Sequence, residues 1–485
     1  MNLQETEKRV VELFKKVSSI PRSSYCEGKI ADFVCDFAEK CGCECYRDEA
    51  NNVLVNVKAT VGMENREPIL LQGHLDMVCE KNEGVEHDFS SEGIHILEKD
   101  GWFVANGTTL GADNAVAIAI MLFVIEGGVK EHGDAQCLFT TAEEVGLDGV
   151  KAFDFSRIYA RKLINMDGEN ENAVIVGCAG GVCTDIIMPV AYTKASGELF
   201  KIKIGGLCGG HSGEDINSGR ANACILMGSL LSELVCGADI SLVSVNGGSK
   251  DNAIPREAVA YIASENIPTV REITESFSEN VKGVLSADDK NFFVSLEAED
   301  CKLYKMMDKE STRSVVSFLT CTKNGIIEMN KKLPSLVEYS KNLGVVATRD
   351  EEPSYECVVF TVNSRSTEEH QLDASVRELE ALGSLCHEAT RVEAHGRFPG
   401  WTYSGESALA DEYISLCRKL YGREVKKVTI HAGLECGVIK ASLPDIDPIS
   451  CGPNMKNLHS PEEKLDIASF GEFAHVVCEL IGGKR

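Results

Sequence analysis

The sequence predicts an α/β fold with more than one domain. Short apolar segments of strand length alternate along the chain with longer segments whose apolar residues recur at helical spacing. Several of the apolar segments end in a histidine or a carboxylate close to a glycine. The chain has 485 residues, which exceeds the size at which one hydrophobic core stops growing, so two or more domains are expected.

The first elements are assigned from the spacing of their apolar residues. Segments 6–17 and 27–41 repeat apolar residues every three or four positions and predict two amphipathic helices. Segment 53–57 reads VLVNV and predicts a strand. Segment 69–71 is a second apolar run, behind a proline, and predicts a buried strand.

The buried strand leads into His74 and Asp76. Residues i and i+2 of an extended backbone point to the same face, so the imidazole and the carboxylate project together from the strand end. A neutral imidazole is a good zinc ligand, and a nearby carboxylate can orient it. The pair alone is weak evidence, because a surface His-x-Asp is common.

Asp113 is the next candidate. It follows a glycine-containing segment and precedes the apolar run 116–125, which predicts a buried helix. Aspartate is among the best helix N-caps, so capping is one interpretation. A carboxylate held firmly in the interior is the other interpretation, and the two are compatible.

Two further segments repeat the pattern of strand, carboxylate and glycine. Segment 135–141 predicts a strand that leads to Glu143 and Glu144, and segment 163–166 is followed by Asp167. Two adjacent buried glutamates would need a cation or a shared proton, whereas a solvated turn would not require either. Ligands of α/β sheets bind outside the carboxyl ends of the strands, so the repeated placement predicts one site.

The composition changes in the middle of the chain. Glycine-rich and mixed segments predict an inserted second domain over 186–396, so that the first domain would comprise 1–185 and 397–485. No convincing sequence repeat and no low-complexity linker are found. In the last part, His459 precedes a helix and is a second candidate histidine ligand.

The composition also argues against several kinds of partner. The formal net charge is −26, which disfavours binding to nucleic acid or to an anionic membrane surface. The first residues are polar and predict no signal peptide, and no apolar run is long enough to span a bilayer. The 20 cysteines are scattered, which predicts reduced thiols, mostly in core positions.

Cys41, Cys43 and Cys45 stand at alternate positions and could bind a soft metal. We prefer to interpret them as small residues where a helix gives way to a strand. Four histidines lack a setting like that of His74 or His459 and are interpreted as structural or solvent-exposed: His87, His95, His132 and His475.

Six motifs, in their order along the chain, resemble those of the dinuclear-zinc aminopeptidase and carboxypeptidase clan. The whole set resembles the aminoacyl-histidine dipeptidases, also called cytosol non-specific dipeptidases. The motifs are GHLDMV (73–78), LGADN (110–114), EEVG (143–146), NMD (165–167), GGHSG (209–213) and LHSP (458–461), and HAGLECG (431–437) is also similar to that family. Each motif alone is modest, but six in the family's order are highly specific.

The resemblance implies a zinc-peptidase-type catalytic domain, with a mixed sheet flanked by helices, and an inserted α+β lid domain. It implies two bound divalent metal ions; zinc is expected, and cobalt or manganese could substitute. The implied metal ligands are His74, Asp113, Glu144, Asp167 and His459. Asp113 would bridge the two ions, and the peptide bond between Asp113 and Asn114 would be cis.

The same resemblance implies catalytic roles. Asp76 would support His74. Glu143 would be the general base that takes a proton from the metal-activated water and returns it to the leaving amine. His211, from the lid domain, would stabilise the oxyanion of the tetrahedral intermediate.

Substrate contacts are implied as well. Arg365 would bind the substrate carboxylate when the two domains close. Asn246 or Asn252 would help to bind substrate, and the sequence does not decide between them. His431 and Glu435 would lie near the site, with roles left open.

The expected function is a cytoplasmic, dinuclear metal-dependent dipeptidase that acts on dipeptides, including Xaa-His peptides such as carnosine. One alternative is an amidohydrolase acting on N-acyl amino acids or on a tripeptide. Another is a non-catalytic relative that serves as a binding or scaffold protein, but none of the expected ligands is lost. The resemblance further implies a homodimer that forms through the lid domains.

Overall fold

The computed structural model of the chain describes residues 3–300, 304–331, 336–351, 355–403 and 405–482. The chain divides into two units. The first unit comprises Met1–Cys178, Trp401–Thr429 and Leu434–Arg485. The second unit comprises Ala179–Gly400 and Ile430–Gly433.

The helices of the described residues are numbered in chain order. Three of them begin at a side chain that accepts a backbone N–H of the first turn: Asn222 for α5, Asp308 for α7 and Ser407 for α9. The helices are α1 (Leu3–Ser18), α2 (Gly28–Lys40), α3 (Ala112–Ile125), α4 (Asp148–Ala152), α5 (Ala223–Ala238), α6 (Ile267–Lys282), α7 (Lys309–Cys321), α8 (Glu369–Cys386), α9 (Ala408–Tyr421), α10 (Glu435–Ser442) and α11 (Ile467–Gly482).

The strands are numbered in the same way. Those up to the first crossing between the units are β1 (Glu44–Arg47), β2 (Val53–Val57), β3 (Ile69–His74), β4 (Ile96–Lys99), β5 (Trp102–Ala105), β6 (Ala135–Thr140), β7 (Lys162–Asn165) and β8 (Ala173–Cys178). The second unit contains β9 (Gly180–Pro189), β10 (Tyr192–Lys194), β11 (Glu198–Gly205), β12 (Gly210–His211), β13 (Ser241–Gly247), β14 (Ala253–Ile254), β15 (Ala258–Ser264), β16 (Phe293–Glu299), β17 (Lys305–Met307), β18 (Gly325–Met329), β19 (Val337–Glu351), β20 (Tyr355–Ser366) and β21 (Arg391–Phe398). The last strands are β22 (Lys426–Ile430), β23 (Asp447–Ser450), β24 (Met455–Lys456) and β25 (Lys464–Asp466).

An eight-stranded sheet forms the centre of the first unit, in the order β1-β2-β6-β3-β7-β23-β8-β22. Four adjacent strands of this sheet, β6, β3, β7 and β23, run parallel to one another. On either side of them the pairing is antiparallel, between β2 and β6 and between β8 and β23. The expected mixed sheet with flanking helices is confirmed. Because β6, β3 and β7 are parallel neighbours, their carboxyl ends lie at one edge of the sheet.

Helix α3 is the most deeply buried helix of the first unit. Ala112 and every residue from Asn114 to Ile125 are buried. A helix that is apolar on all sides belongs in the interior. It lies close against β3: a Cβ atom added at Gly73 would stand 2.4 Å from the Cβ atom of Ala117. Gly73 therefore permits the close approach that brings the start of α3 to the end of β3.

The second unit contains two copies of one βαββαβ arrangement. The first copy is β11, α5, β13, β15, α6 and β16, with its strands in the order β16-β11-β15-β13. The second copy is β9, α7, β19, β20, α8 and β21, and its strands lie in the equivalent order β21-β9-β20-β19. The first copy is inserted into the second between β9 and α7. Strands β13 and β19 pair antiparallel and join the copies into one sheet.

This duplication was not found in the sequence. Topology depends on which strands pair, and alternating apolar patterns of many unrelated sequences satisfy the same pairing. The insertion also separates β9 from the rest of its own copy. The hydrophobic core of the unit lies between the sheet and α5, α6, α7 and α8, which agrees with the expected α+β character of this part of the chain.

The expected domain boundaries, after residues 185 and 396, fall inside β9 and β21. Both strands belong to the sheet of the second unit. A change of composition cannot locate a boundary that falls within a continuous strand. Among the helices that the structure describes, none combines the length and the apolar character required to cross a bilayer.

The close approach of β3 and α3 gives a test of the fold. Gly73→Ala would place its Cβ atom 2.4 Å from Ala117 Cβ and 2.8 Å from Asn114 Oδ1. We expect the free energy of unfolding to fall by about 1–3 kcal/mol, as overpacked cores do, measured by urea denaturation. Gly28→Ala is the control, because its nearest neighbouring atom would be 3.8 Å away. A Gly73→Ala protein as stable as its parent would contradict this packing.

Candidate metal centre

Three parallel strands of the first unit end side by side. Strands β3 and β6 pair with His74 opposite Thr140, and β3 and β7 pair with Gln72 opposite Asn165. The segments at these strand ends carry five of the candidate side chains: His74, Asp76, Glu143, Glu144 and Asp167. Their common position follows from the parallel pairing, as the sequence pattern predicted.

Two groups of metal-ligating atoms form at this edge. In the first group, His74 Nε2 lies 2.8 Å from Asp113 Oδ1 and 3.4 Å from Asp167 Oδ1. In the second group, His459 Nε2 lies 3.2 Å from Asp113 Oδ2 and 3.1 Å from Glu144 Oε2. Asp113 therefore directs one carboxylate oxygen to each group.

The backbone around Asp113 departs from a regular helix. Gly111 occupies the N-cap position of α3, and Asp113 and Asn114 have non-helical backbone angles. The peptide bond between Asp113 and Asn114 is cis, as the resemblance implied. The Asp113 carboxylate contacts the two histidines. The structure places Gly111, two residues before Asp113, at the cap, and the Asp113 carboxylate lies beside the two histidines, which favours the other interpretation, a carboxylate held in the interior.

Asp76 connects three of these segments. It is fully buried, and its carboxylate accepts the backbone N–H of Glu143 at 3.1 Å and that of Glu144 at 3.3 Å. It also accepts the hydroxyl of Ser24 at 2.8 Å. Its Oδ1 atom lies 3.4 Å from Nδ1 of His74. Asp76 thus holds the imidazole and the glutamate segment at a fixed spacing.

The electrostatics of the centre reflect crowded acidic groups. Burial raises the pKa of Glu143 well above its usual range, and it also raises the pKa of Glu144 and of Asp167, with nearby carboxylates adding to each shift. Burial would raise the pKa of Asp113 too, but hydrogen bonds with both histidines lower it. For His74, burial acts downward, yet the surrounding carboxylates raise its pKa well above the ordinary value.

This set of side chains suits divalent cations. Among the described residues, three groups have ligand atoms within 4.8 Å of one another: His74, Asp113 and Asp167; Asp113, Glu144 and His459; and His74, Glu143 and Glu144. Glu144 Oε1 is buried and has no hydrogen-bond partner among the residues that the structure describes. Buried carboxylates in such proximity need a cation or a shared proton. Imidazole nitrogen and carboxylate oxygen are ligand types that zinc accepts.

Glu435 lies behind the centre in the first unit. Its carboxylate accepts hydrogen bonds from the Gln72 amide and from Thr140 Oγ1, so it contacts residues of β3 and β6. Burial raises the pKa of Glu435 to about 7. Through Gln72 it is connected to the strand that ends in His74.

The second unit contains the other candidates. His211 accepts the backbone N–H of Glu214 at Nδ1, at 3.2 Å, so its neutral imidazole carries the proton on Nε2. The carbonyl of Asn252 accepts the N–H of the residue after His211 at 2.8 Å, which places Asn252 beside this histidine. Asn246 lies where β13 meets β19, and its side chain accepts the N–H of Thr348.

Arg365 and His431 are buried in the second unit. Arg365 is 6% exposed, and its Nε has no hydrogen-bond partner in the described part of the chain. His431 Nε2 lies 2.7 Å from Ser340 Oγ. Burial lowers the pKa of His431 to about 3, and the charges of Arg365 and His211 act in the same direction. A buried guanidinium with an unpaired donor favours an anionic ligand.

Sequence reasoning missed three residues that hold the centre: Arg22, Ser24 and Glu463. Ser24 bonds to Asp76, and the contacts of the other two are described below. Glu463 stands just after the LHSP motif, which was the one available signal. Burial of a charged side chain depends on partners distant in sequence, and residue type alone does not reveal it.

The three clustered cysteines do not converge on each other. Cys45 Sγ lies 3.1 Å from Cys35 Sγ on α2, and Cys43 Sγ lies 3.8 Å from the carbonyl of Ile125. Cys41 is exposed. Their side chains therefore take different directions at the junction of α2 and β1.

Comparisons with known proteins identify relatives over nearly the whole chain. The chain is 34% identical over 474 residues to the cytosol non-specific dipeptidase of Escherichia coli (strain K12), covering 97% of this chain and 96% of the relative. The crystal structure of aminoacylhistidine dipeptidase from Vibrio alginolyticus has a TM-score of 0.85 at 31% identity, covering 98% of this chain and 97% of that chain.

A more distant structure shares the fold alone. Aminopeptidase PepT from Bacillus cereus has a TM-score of 0.63 at 16% identity, covering 98% of each chain. Residues 70–482 match peptidase family M20/M25/M40, a range that includes all six motifs. The chain therefore belongs to peptidase family M20/M25/M40 and is a hydrolase of the metallopeptidase class.

Proposed function

We propose that this chain is a dinuclear metal-dependent dipeptidase. The observation that carries the proposal is the pair of ligand groups that share Asp113, with Glu143 beside them. The names of the Escherichia coli and Vibrio alginolyticus relatives support a dipeptide substrate. Xaa-His dipeptides such as carnosine are the proposed substrates to examine first.

Five residues are proposed as ligands of two divalent ions, with zinc as the expected metal and cobalt or manganese as substitutes. His74 and Asp167 would hold one ion, and Glu144 and His459 the other, with Asp113 bridging them. The support is geometric: Asp113 Oδ1 faces the first pair and Oδ2 faces the second. When bound, two such ions lower the pKa of a water molecule and polarise the scissile carbonyl.

Glu143 is proposed as the general base. Its carboxylate lies beside the two ligand groups, and burial raises its pKa, which makes the carboxylate a stronger proton acceptor. The same carboxyl group then returns that proton to the nitrogen of the leaving amine. Asp76 is proposed to fix the orientation of His74 and the backbone position of Glu143, through the contacts described above.

The second unit is proposed to supply the substrate contacts. His211 would donate its Nε2–H to the carbonyl oxygen that becomes negative as water attacks. Arg365 would bind the free carboxylate of the dipeptide, a role that its unpaired buried donor supports. Asn252 is preferred to Asn246 as a substrate contact, because Asn252 lies beside His211.

His431 and Glu435 receive more limited proposals. His431 stays neutral at physiological pH and could accept or donate one hydrogen bond close to Arg365. Glu435 is proposed to support the His74 strand through Gln72. A cytoplasmic location and a homodimer through the second unit stay predictions, and the family resemblance is their support.

The bridging role of Asp113 is tested by its replacement. Asp113→Ala should weaken the binding of both ions, because the bridging carboxylate is a ligand to each. Metal analysis of the purified parent should give about two divalent ions per chain, and the variant should retain far less metal and activity. Asp36→Ala, an exposed site on α2, is the control. Parental metal content and activity in Asp113→Ala would refute the assignment.

The base is tested by Glu143→Gln, which keeps the size of the side chain but cannot accept a proton. Turnover should fall by about two to four orders of magnitude, while metal content stays near that of the parent. Glu49→Gln, at an exposed position, should change neither quantity. Loss of bound metal together with turnover would mean that Glu143 is a ligand and that Glu144 is the better candidate for the base.

Recognition of the substrate carboxylate is tested with a hydrolysis panel of dipeptides including carnosine, dipeptide amides, tripeptides and N-acetyl amino acids. The parent should cleave dipeptides, and amides should be poor substrates. Arg365→Lys keeps the charge but loses the planar fork, so kcat/KM for dipeptides should fall by roughly one to two orders of magnitude. Arg377→Lys, an exposed position on α8, is the control.

The same panel separates the alternatives. Equal cleavage of amides and dipeptides by the parent would contradict carboxylate recognition by Arg365. Preferred cleavage of N-acetyl amino acids or tripeptides would replace the dipeptidase proposal with the related amidohydrolase function. Full metal content with no cleavage of any substrate would favour a binding protein.

A further inference from the structure

The segment that precedes Asp113 is held between two buried charges. It comprises residues 110–112 and will be called the bridge segment, because it leads into the proposed bridging ligand. The carboxylate of Glu463 accepts the backbone N–H groups of the bridge segment. The guanidinium of Arg22 donates to one of the backbone carbonyls of the same segment. Glu463 is 2% exposed and Arg22 is 1% exposed.

Glu463 binds three consecutive N–H groups. Its Oε2 accepts the N–H of Leu110 at 2.8 Å and that of Gly111 at 2.9 Å. Its Oε1 accepts the N–H of Ala112 at 2.8 Å. Both carboxylate oxygens of Glu463 therefore accept hydrogen bonds, and the donors are backbone N–H groups of three consecutive residues. Charge-assisted hydrogen bonds of this kind are stronger than neutral ones.

Arg22 binds from the carbonyl side. One terminal nitrogen of its guanidinium donates to the carbonyls of Leu75, at 3.0 Å, and Asp76, at 2.7 Å. The other donates to the carbonyl of Gly111. The planar fork thus joins the segment after His74 to the bridge segment. Gly111 has φ +66°, and a Cβ there would lie 2.6 Å from Arg22 Nη2, so only glycine allows this contact without displacement.

These contacts connect the proposed ligands to one another. Glu463 belongs to the same segment as His459, so its bonds tie the position of His459 to that of Asp113. Arg22 connects the segment that contains His74 and Asp76 to the bridge segment through its hydrogen bonds to both. The two residues therefore set the separation between the histidines and the carboxylate that the histidines share.

We propose that Arg22 and Glu463 are positioning residues that hold His74, Asp113 and His459 at the spacing that two metal ions require. This inference rests on the metal centre of the proposed function. Neither side chain reaches the substrate or the ions in this role. Each acts through backbone groups, and metal-site partners of this kind commonly affect metal affinity by about 10–100-fold.

The chemistry of the two side chains explains why substitutes should fail. Glutamine at position 463 would direct its NH₂ group at a backbone N–H, because both carboxylate oxygens are acceptors in the parent. Lysine at position 22 keeps the charge, but a single ammonium group lacks the rigid fork that spans two segments. Aspartate at position 463 keeps the charge and both oxygens, but its side chain is one methylene shorter. Its carboxylate would therefore not reach the three backbone N–H groups from the same backbone position.

The test measures metal binding directly. The variants are Glu463→Gln, Glu463→Asp and Arg22→Lys, and the controls are Glu462→Gln and Arg161→Lys, which change exposed residues. Arg161 also donates to backbone carbonyls, so it matches Arg22 in chemistry but not in burial. Metal-free protein is titrated with zinc in competition with a chromophoric chelator, and thermal unfolding of the metal-free form is recorded in parallel.

We expect zinc binding to weaken by about 10–100-fold in each test variant and to match the parent in the controls. High zinc concentrations should restore the occupancy and most of kcat, with KM for the dipeptide little changed. The visible absorption of the cobalt-loaded variants should also differ from that of the parent, because the ligand geometry is altered.

Two outcomes would overturn the inference. One is parental zinc affinity in variants whose metal-free form unfolds at a lower temperature, which would indicate a role in folding alone. The other is failure of all three variants to fold, judged by circular dichroism, which would indicate the same. A parent that binds zinc but cleaves no dipeptide would refute the proposed substrate and leave this inference intact. A parent that binds no divalent ion would refute both.

Discussion

Buried negative charge is the constraint on which the first unit depends. Five carboxylates and two histidines occupy one edge of a sheet: Asp76, Asp113, Glu143, Glu144 and Asp167 with His74 and His459. Charges removed from water are strongly destabilising unless opposite charges or hydrogen bonds compensate them. Part of that compensation comes from the histidines and from the positive charge of the Arg22 guanidinium. Another part comes from the two backbone N–H groups that donate hydrogen bonds to the Asp76 carboxylate. The proposed ions would supply the rest.

The two units differ in the sign of charge at their candidate residues. The first unit concentrates carboxylates, whereas the second contains Arg365, His211 and His431, and of these three side chains Arg365 and His431 are buried. Burial lowers the pKa of His431, and the positive charge of Arg365 adds to this effect.

The sequence predicted what depends on local pattern. The strand ends that carry His74, Glu143 and Asp167 could be read from apolar runs that stop at polar residues, and β2 was predicted with its observed limits. The roles of Arg22 and Glu463 could not be predicted from the sequence. Glu463, for example, accepts hydrogen bonds from residues some 350 positions away in the chain. Pairing between distant strands also concealed the duplication in the second unit. The preference for Asn252 over Asn246 depends on the hydrogen bond between the Ser212 N–H and the Asn252 carbonyl, which the sequence does not reveal.

The order β7-β23-β8 has a consequence for the synthesis of this protein. Strands β7 and β8 are close in the chain, yet the place between them is filled by residues 447–450. The ribosome must add 450 − 165 = 285 residues after the end of β7 before β23 is complete, which takes roughly a quarter of a minute to a minute at ordinary rates. During that interval the edge of β7 lacks its neighbour, and chaperones or other nascent chains could pair with it. His459 emerges later still, so a partly made chain lacks one of the two proposed ligand groups.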